Sequence, residues 1–128
     1  LKHDISVEPR RLPQFIDEGR ALLASIAPGA RLVAYGHLGD GNLHFNLSPA
    51  NAADHSLAAA ADQVKRAVHD LVAGYNGSIS AEHGIGQSKL AELSRYEDPV
   101  ALALMHDLKK AIDPLGIMNP GKVLESGA

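Results

Sequence analysis

The stretch YGHLGDGNLHFNLS, residues 35–48, decides how this chain folds, because it holds two strand-like segments around a glycine-rich centre. If residues 39–42 form a four-residue loop, the flanking segments pair as an antiparallel hairpin. Alternation with a period of two then separates an apolar face from a polar face. The predicted apolar face comprises Leu32, Ala34, Leu38, Leu43, Phe45 and Leu47, and the polar face comprises Tyr35, His37, His44 and Asn46.

This register predicts that His37 and His44 face each other directly, with Cβ atoms about 4.5–5.5 Å apart. Two imidazoles in that position can bind one metal ion at about 2.0–2.1 Å from each nitrogen. The alternative is a solvated hairpin face without a ligand. A phosphate-binding loop is not favoured, because the glycines lead into a strand and not into a helix N-terminus.

Length and composition indicate one globular domain over residues 1–128, with 45% hydrophobic residues and no cysteine. The missing cysteine excludes disulfides and cysteine-ligated zinc. A formal net charge of −3 argues against a nucleic-acid partner, which would require clustered Lys and Arg. No apolar run reaches the roughly 18 residues of a transmembrane segment. A cytoplasmic location is therefore expected, and membrane association of the longer parent protein stays open.

Periodicity and turn residues predict four strands and four helices. The order strand, helix, strand, strand, helix, strand matches the ferredoxin-like, split βαβ plan, with two further helices at the C-terminal end. The predicted class is α+β with an antiparallel sheet, since a hairpin cannot belong to a purely parallel sheet. The predicted strands lie in residues 2–8, 31–38, 43–48 and 77–82, the helices in 12–29, 54–73, 87–94 and 97–113, and turns in 114–124.

A second candidate site lies in SAEHGIGQSK, residues 80–89, where Glu82 and His83 precede two glycines. A carboxylate turned toward the two hairpin histidines would complete a His₂Glu set with open positions, as in catalytic zinc sites. His83 would then lie beside the ion as a general base. The alternative is a structural loop in which Glu82 is favoured by the dipole of the following helix.

The other histidines are expected to have structural surroundings. His3 faces the apolar side of the first strand, while Lys2 and Asp4 share the opposite side, where a lone lysine is usually solvated. Three helical histidines are expected at the surface or its boundary: His55, His69 and His106.

Three motifs occur in order: GHLGDGNLHFN (36–46), SAEHGIG (80–86) and AIDPLGIMNPGKVL (111–124). With the opening KHDISV, they make the whole chain resemble the C-terminal domain of FAD-linked oxidases of the vanillyl-alcohol oxidase type. The resemblance is to the branch that contains D-lactate dehydrogenase, the glycolate oxidase FAD subunit and D-2-hydroxyglutarate dehydrogenase. It implies divalent-metal ligands, usually zinc, at His37, His44 and Glu82. It also implies a catalytic base at His83 and substrate contacts at Lys2 and Asn46.

The resemblance further implies an activity: FAD-dependent oxidation of a D-2-hydroxy acid, of the lactate, glycolate or 2-hydroxyglutarate type, to the 2-oxo acid. The metal would lower the pKa of the substrate hydroxyl, the base would take its proton, and flavin N5 would accept the hydride from C2. The partners implied are the small 2-hydroxy acid and the N-terminal FAD domain of the same protein.

The sequence begins at Leu1 and not at Met, so it is expected to be the C-terminal piece of a longer protein. The FAD-binding domain that precedes this segment in the family is absent from this chain. The piece alone is therefore expected to fold and to bind metal weakly, but neither to bind FAD nor to oxidise a substrate.

Two other classes remain open at this point. One is a stand-alone hydrolase that uses the His₂Glu set and metal-bound water, and that cleaves esters or amides without flavin. The other is a ferredoxin-like interaction module that forms a homodimer through its sheet, with incidental histidines.

Overall fold

The computed structural model describes residues 1–51 and 53–125, and the chain divides into two compact units, residues 1–83 and residues 84 onward. The first unit contains β1 (Asp4–Ser6), a 3₁₀ turn (Pro9–Arg11), α1 (Leu12–Ile26), β2 (Arg31–His37), β3 (Asn42–Ser48), α2 (Ser56–Ala59) and α3 (Ala61–Gly74). The second contains α4 (Leu90–Tyr96) and α5 (Pro99–Ile112). That the whole chain forms one domain stays a prediction.

The first unit is built on an antiparallel three-stranded sheet in the order β1-β3-β2. The α+β class is thereby confirmed. Ser6 also forms an antiparallel bridge with Ser78, on the side of β1 away from β3. This is where the split βαβ plan places its last strand.

The strand predicted over residues 77–82 is reduced to that single bridge. Its local hydrogen bonds explain why: the Ser78 hydroxyl donates to the Ser80 carbonyl at 3.0 Å, and the chain then bends at residues 81–83. A side chain that bonds its own backbone competes with ladder pairing. The bend, and not a strand, positions the residues that follow.

The core of the first unit lies between the sheet and helices α1 and α3, which contact each other. The rings of Phe15 and Phe45 pack edge to face with centroids 5.4 Å apart. Gly19 lets α1 approach the sheet, because a Cβ there would lie 2.7 Å from Cζ of Phe45. The largest fully buried side chains are those of Ile5, Phe15, Phe45, Val64, Val68 and Val72.

The predicted hairpin register is wrong by two residues. His37 is paired with Asn42, and Tyr35 is paired with His44, so the two histidines are diagonal and not direct neighbours. Leu38 belongs to the loop and is 73% exposed, although it was expected on the apolar face. Because the shift is an even number of residues, the other side chains keep their predicted faces.

Gly41 explains the shift. It adopts a positive φ of 75°, and a Cβ on it would lie 1.9 Å from the carbonyl oxygen of Val7. The Asp40 side chain accepts the N–H of Asn42 at 3.1 Å, which closes the turn one residue earlier than predicted. The loop is therefore residues 38–41, and Asn42 begins β3.

The helix predicted over residues 54–73 is divided into α2 and α3, with the division at Ala60. His69 on α3 is buried, contrary to the prediction of a surface position, because its ring packs edge to face against the buried His3 at 6.0 Å. His55 and His106 are exposed, as predicted.

The second unit follows the predicted helix signals closely. Asp98 caps α5 by accepting the N–H groups of Val100 and Ala101 at 2.8 and 3.1 Å, with Pro99 in the first helical position. The preceding helix begins at Leu90, later than predicted. Turns and bends lie within residues 114–124, as predicted.

Over residues 1–51 and 53–125, the structure contains no helix of the length and apolar character needed to cross a lipid bilayer.

Candidate functional site

The polar face of the sheet collects the side chains that sequence patterns single out. On β1 and β3, Asp4 pairs with His44, and Ser6 pairs with Asn42. The ladder continues toward the N-terminus, because the carbonyl oxygens of residues 1 and 3 accept the N–H groups of residues 47 and 45. Lys2 therefore lies opposite Asn46. Directly opposed residues share a face of the sheet.

This face, which we call the polar face, consists of three rungs, that is, three rows of residues paired across the strands. Each rung takes one residue from β1 or its N-terminal extension, one from β3 and one from β2. The rungs are Lys2–Asn46–Val33, Asp4–His44–Tyr35 and Ser6–Asn42–His37.

Glu82 and His83 reach the polar face through the bend at residues 81–83. Their backbone N–H groups both donate to Oδ2 of Asp4, at 2.9 and 2.8 Å. In an extended chain, adjacent side chains point to opposite sides. The bend removes that restriction, so the two side chains approach neighbouring parts of the same face.

Glu82 contacts the end of the hairpin. Its Oε1 accepts a hydrogen bond from Nδ2 of the buried Asn42 and lies 3.4 Å from Nδ1 of His37. The side chains of His37 and Glu82 are 65% and 46% exposed, so both can reach a ligand from solvent. Two of the three predicted metal ligands are thus adjacent.

His44 lies deeper, with a side chain that is 19% exposed. Its Nδ1 lies 3.7 Å from Oδ1 of Asp4. Its ring is 5.0 Å from that of Tyr35 and stacks on that of His83 at 6.0 Å with an angle of 27°. The imidazole is therefore held between neighbours on both sides.

Within the part of the chain that the structure describes, one group of at least three His, Asp or Glu side chains has ligand atoms all within 4.8 Å of one another. It consists of Asp4, His44 and His83. The structure therefore brings His37 to Glu82, and His44 to Asp4 and His83. The assignment of His37, His44 and Glu82 as ligands stays a prediction.

Sequence reasoning missed the importance of Asp4. Its side chain is only 2% exposed, although it is charged and lies on the polar face. The signal available was its position: an acidic residue between the apolar-side residues His3 and Ile5, in the first predicted strand. Buried carboxylates are uncommon unless hydrogen-bonded.

The far end of the polar face offers two nitrogen donors. Oδ1 of Asn46 accepts the N–H of His3 at 3.1 Å, which fixes the amide and makes Nδ2 the group that can donate to a ligand. Lys2, opposite it, is exposed. An ammonium and an amide suit a carboxylate ligand, whereas the imidazoles and carboxylates at the other end suit a cation.

Comparison with known proteins gives the family. The family model described as FAD linked oxidases, C-terminal domain, matches residues 1–123. D-2-hydroxyglutarate dehydrogenase of Xanthomonas citri pv. viticola is 40% identical over 126 residues, which are 98% of this chain and 27% of that protein. The Stutzerimonas stutzeri protein of the same name is 41% identical, over 95% of this chain and 26% of its own length.

A mammalian relative is similar to the same extent. Mitochondrial D-2-hydroxyglutarate dehydrogenase of Bos taurus is 43% identical over 99% of this chain and 22% of its own length. The chain thus spans about a quarter of the length of these curated relatives. The family match and the order of the motifs agree. The chain belongs to the FAD linked oxidases, and it corresponds to their C-terminal domain.

Proposed function

We propose that this chain is the substrate- and metal-binding part of an FAD-dependent dehydrogenase that oxidises a D-2-hydroxy acid to the 2-oxo acid. D-2-hydroxyglutarate is the first candidate substrate, because the relatives that match nearly the whole chain carry that name. The observation that supports the proposal is the polar face, where an ammonium and an amide on one rung lie next to a rung of imidazole and carboxylate groups.

Lys2 and Asn46 would hold the substrate carboxylate. They lie opposite each other on one rung, so an ammonium and an amide N–H can donate to the two oxygens of one carboxylate. The next rung along the face carries His44. A bound acid would therefore have its C2 hydroxyl close to the imidazoles.

His37, His44 and Glu82 fit a divalent cation such as zinc. Their imidazole nitrogens and carboxylate oxygens are its ordinary protein ligands. The 3.4 Å separation of His37 Nδ1 and Glu82 Oε1 supports this fit, because two of the three ligand atoms already lie close together. When bound, a divalent cation supplies Lewis acidity, which lowers the pKa of a coordinated hydroxyl.

His83 would accept the proton of the C2 hydroxyl. Its side chain is 63% exposed, and its Nδ1 lies 3.7 Å from Asp4, so Nε2 is the nitrogen available to the substrate. FAD, bound by the remainder of the protein, supplies the acceptor for the hydride that leaves C2. Loss of the hydroxyl proton to His83 and loss of the hydride from C2 would together convert the alcohol to the ketone.

Steady-state kinetics of the full-length protein, with an electron-acceptor dye and zinc analysis, test this function. His37→Ala, His44→Ala and Glu82→Gln should lose bound zinc together with turnover of D-2-hydroxyglutarate. His83→Asn should keep the zinc and lower kcat about 10²–10⁴-fold, as expected for removal of a general base. The control is His106→Ala, an exposed histidine of α5, which should change neither.

If the protein instead cleaves esters or amides in a zinc-dependent reaction without flavin, it is a hydrolase and the proposed function is wrong. Unchanged zinc content and turnover in the His37 and His44 variants would favour the interaction module. Turnover of D-lactate and glycolate, measured beside D-2-hydroxyglutarate, decides the substrate.

The proposal also covers the partners of the chain and its location in the cell. Its main partner would be the FAD domain of the same polypeptide, and the isolated chain is predicted to be inactive. A homodimer and a cytoplasmic location stay predictions. The relatives from Arabidopsis thaliana and Bos taurus are named as mitochondrial, which makes that compartment the alternative location.

A further inference from the structure

Asp4 is a buried charge in the middle of the proposed site. Its side chain is 2% exposed, and it lies opposite His44 on the polar face. Removing a carboxylate from water is costly unless hydrogen bonds or charges compensate for the loss of hydration. The contacts that compensate Asp4 therefore indicate its role.

The first compensation is structural. Oδ2 of Asp4 accepts two backbone N–H groups, from Glu82 at 2.9 Å and from His83 at 2.8 Å. The Asp4 carbonyl also accepts the N–H of Ala81 at 3.3 Å. These bonds join the bend at residues 81–83 to β1, although the two segments are almost eighty positions apart in the sequence.

The second compensation involves two imidazoles. Oδ1 lies 3.7 Å from Nδ1 of His44, and Oδ2 lies 3.7 Å from Nδ1 of His83. These distances exceed hydrogen-bond length, so the contacts are electrostatic. In a neutral imidazole, one nitrogen carries the proton and the other carries a lone pair. A negative charge beside both Nδ1 atoms favours the proton there, which leaves both Nε2 lone pairs for other partners.

We propose that Asp4 is a positioning residue that fixes the tautomer and orientation of both His44 and His83. This inference rests on the proposed function, in which His44 binds the cation and His83 accepts the substrate proton. Both roles require a lone pair on the nitrogen that faces the ligand. A single carboxylate thus prepares the metal ligand and the base together, and it also holds the backbone of Glu82.

The direct test is long-range ¹⁵N–¹H NMR of the imidazoles in this chain, without metal, at a pH where the rings are neutral. Nδ1 of His44 and His83 should be protonated in the wild type. Asp4→Asn should shift both rings toward the Nε2–H tautomer, because the asparagine amide carries no charge and can donate to Nδ1. Asp17→Asn is the matched control: Asp17 is an exposed aspartate of α1 beside Arg20, and its replacement should leave both rings unchanged.

Asn retains a side-chain oxygen that can accept the N–H groups of Glu82 and His83, so Asp4→Asn separates charge from simple anchoring. In the full-length protein, Asp4→Asn should weaken zinc binding about 10–100-fold. At saturating zinc it should lower kcat with little change in KM, because Asp4 does not touch the substrate. Asp4→Ala, which also removes the acceptor, should destabilise the fold.

Two results would overturn the inference. One is an Asp4→Asn variant with unchanged tautomers and unchanged zinc affinity. The other is an Asp4→Asn variant that loses zinc as completely as His44→Ala, because Asp4 would then be a ligand itself. If the full-length protein oxidises no 2-hydroxy acid, the proposed function fails, but the tautomer and zinc measurements still decide the role of Asp4.

Discussion

The two compact units of this chain are stabilised in different ways. In the first, side chains from the sheet and two helices form a core in which Phe15 and Phe45 are completely buried. In the second, α5 has no buried residue and presents a stripe of exposed apolar side chains spaced four apart. That stripe comprises Val100, Leu104, Leu108 and Ile112, which are 57–74% exposed.

Of the two units, as far as the structure describes them, only the first offers a rigid support for a precise site. A fully buried large apolar side chain contributes about 1.5–3 kcal/mol, and close packing locks its neighbours. The polar face lies on the sheet that this core supports, so its histidines have a rigid base. The second unit depends more on local devices, such as the Asp98 cap and the hydrogen bonds of Asp113.

The largest expected effect comes from the core. Phe45→Ala should lower the free energy of unfolding by about 3–5 kcal/mol, because it leaves a cavity between the sheet and α1. Leu104→Ala, on the exposed stripe of α5, should change it by no more than about 0.5 kcal/mol. Urea denaturation measures the free energy of unfolding of both variants. A large loss for Leu104→Ala would show that the stripe is covered in solution, which would break the comparison.

Gly41→Ala should destabilise the first unit by about 1–3 kcal/mol, because alanine would need a positive φ and its Cβ would collide with the Val7 carbonyl. Gly39→Ala is the control in the same loop, since no atom lies within 4 Å of its added Cβ. Thermal unfolding compares the two variants. Equal stability would contradict the observed loop boundaries.

Asp98→Ala should lower the free energy of unfolding by about 1 kcal/mol, because it removes the N-terminal cap of α5. The matched control is Asp107→Ala, a change to an exposed aspartate within the same helix. Hydrogen exchange of the Val100 and Ala101 amides measures the effect at the site itself. Unaltered exchange of these two amides would mean that the cap does not stabilise the helix.

The smallest expected effect concerns Asp113. The Lys109 ammonium, followed by the N–H of Met118, holds the pKa of this carboxyl below its ordinary value of 3.8. A depressed pKa in the folded state contributes stability that is complete above the ordinary value and is lost as the pH falls through the lowered one. The amide shifts of Ile117 and Met118 should therefore titrate below 3.8. In the Asp113→Asn variant, these two amide shifts should not change over the same pH range.

Much of this structure could be predicted because local signals agree with the fold. The Asp98-Pro99 start of α5 and the polar and apolar faces of the hairpin depend on residues close in sequence. The hairpin register could not be predicted, because Gly41 contacts Val7, a residue far away in the chain. The same reason hid the buried positions of His69 and Asp4, whose surroundings are formed by distant segments.

The proposed function depends above all on binding of a divalent cation by the polar face of the first unit. Anomalous X-ray diffraction at the zinc edge, from crystals of this chain grown with saturating zinc, tests it most directly. We expect a peak about 2.0–2.2 Å from ligand atoms of His37, His44 and Glu82. A zinc peak elsewhere on the molecule, or none on this face at saturating zinc, would contradict it.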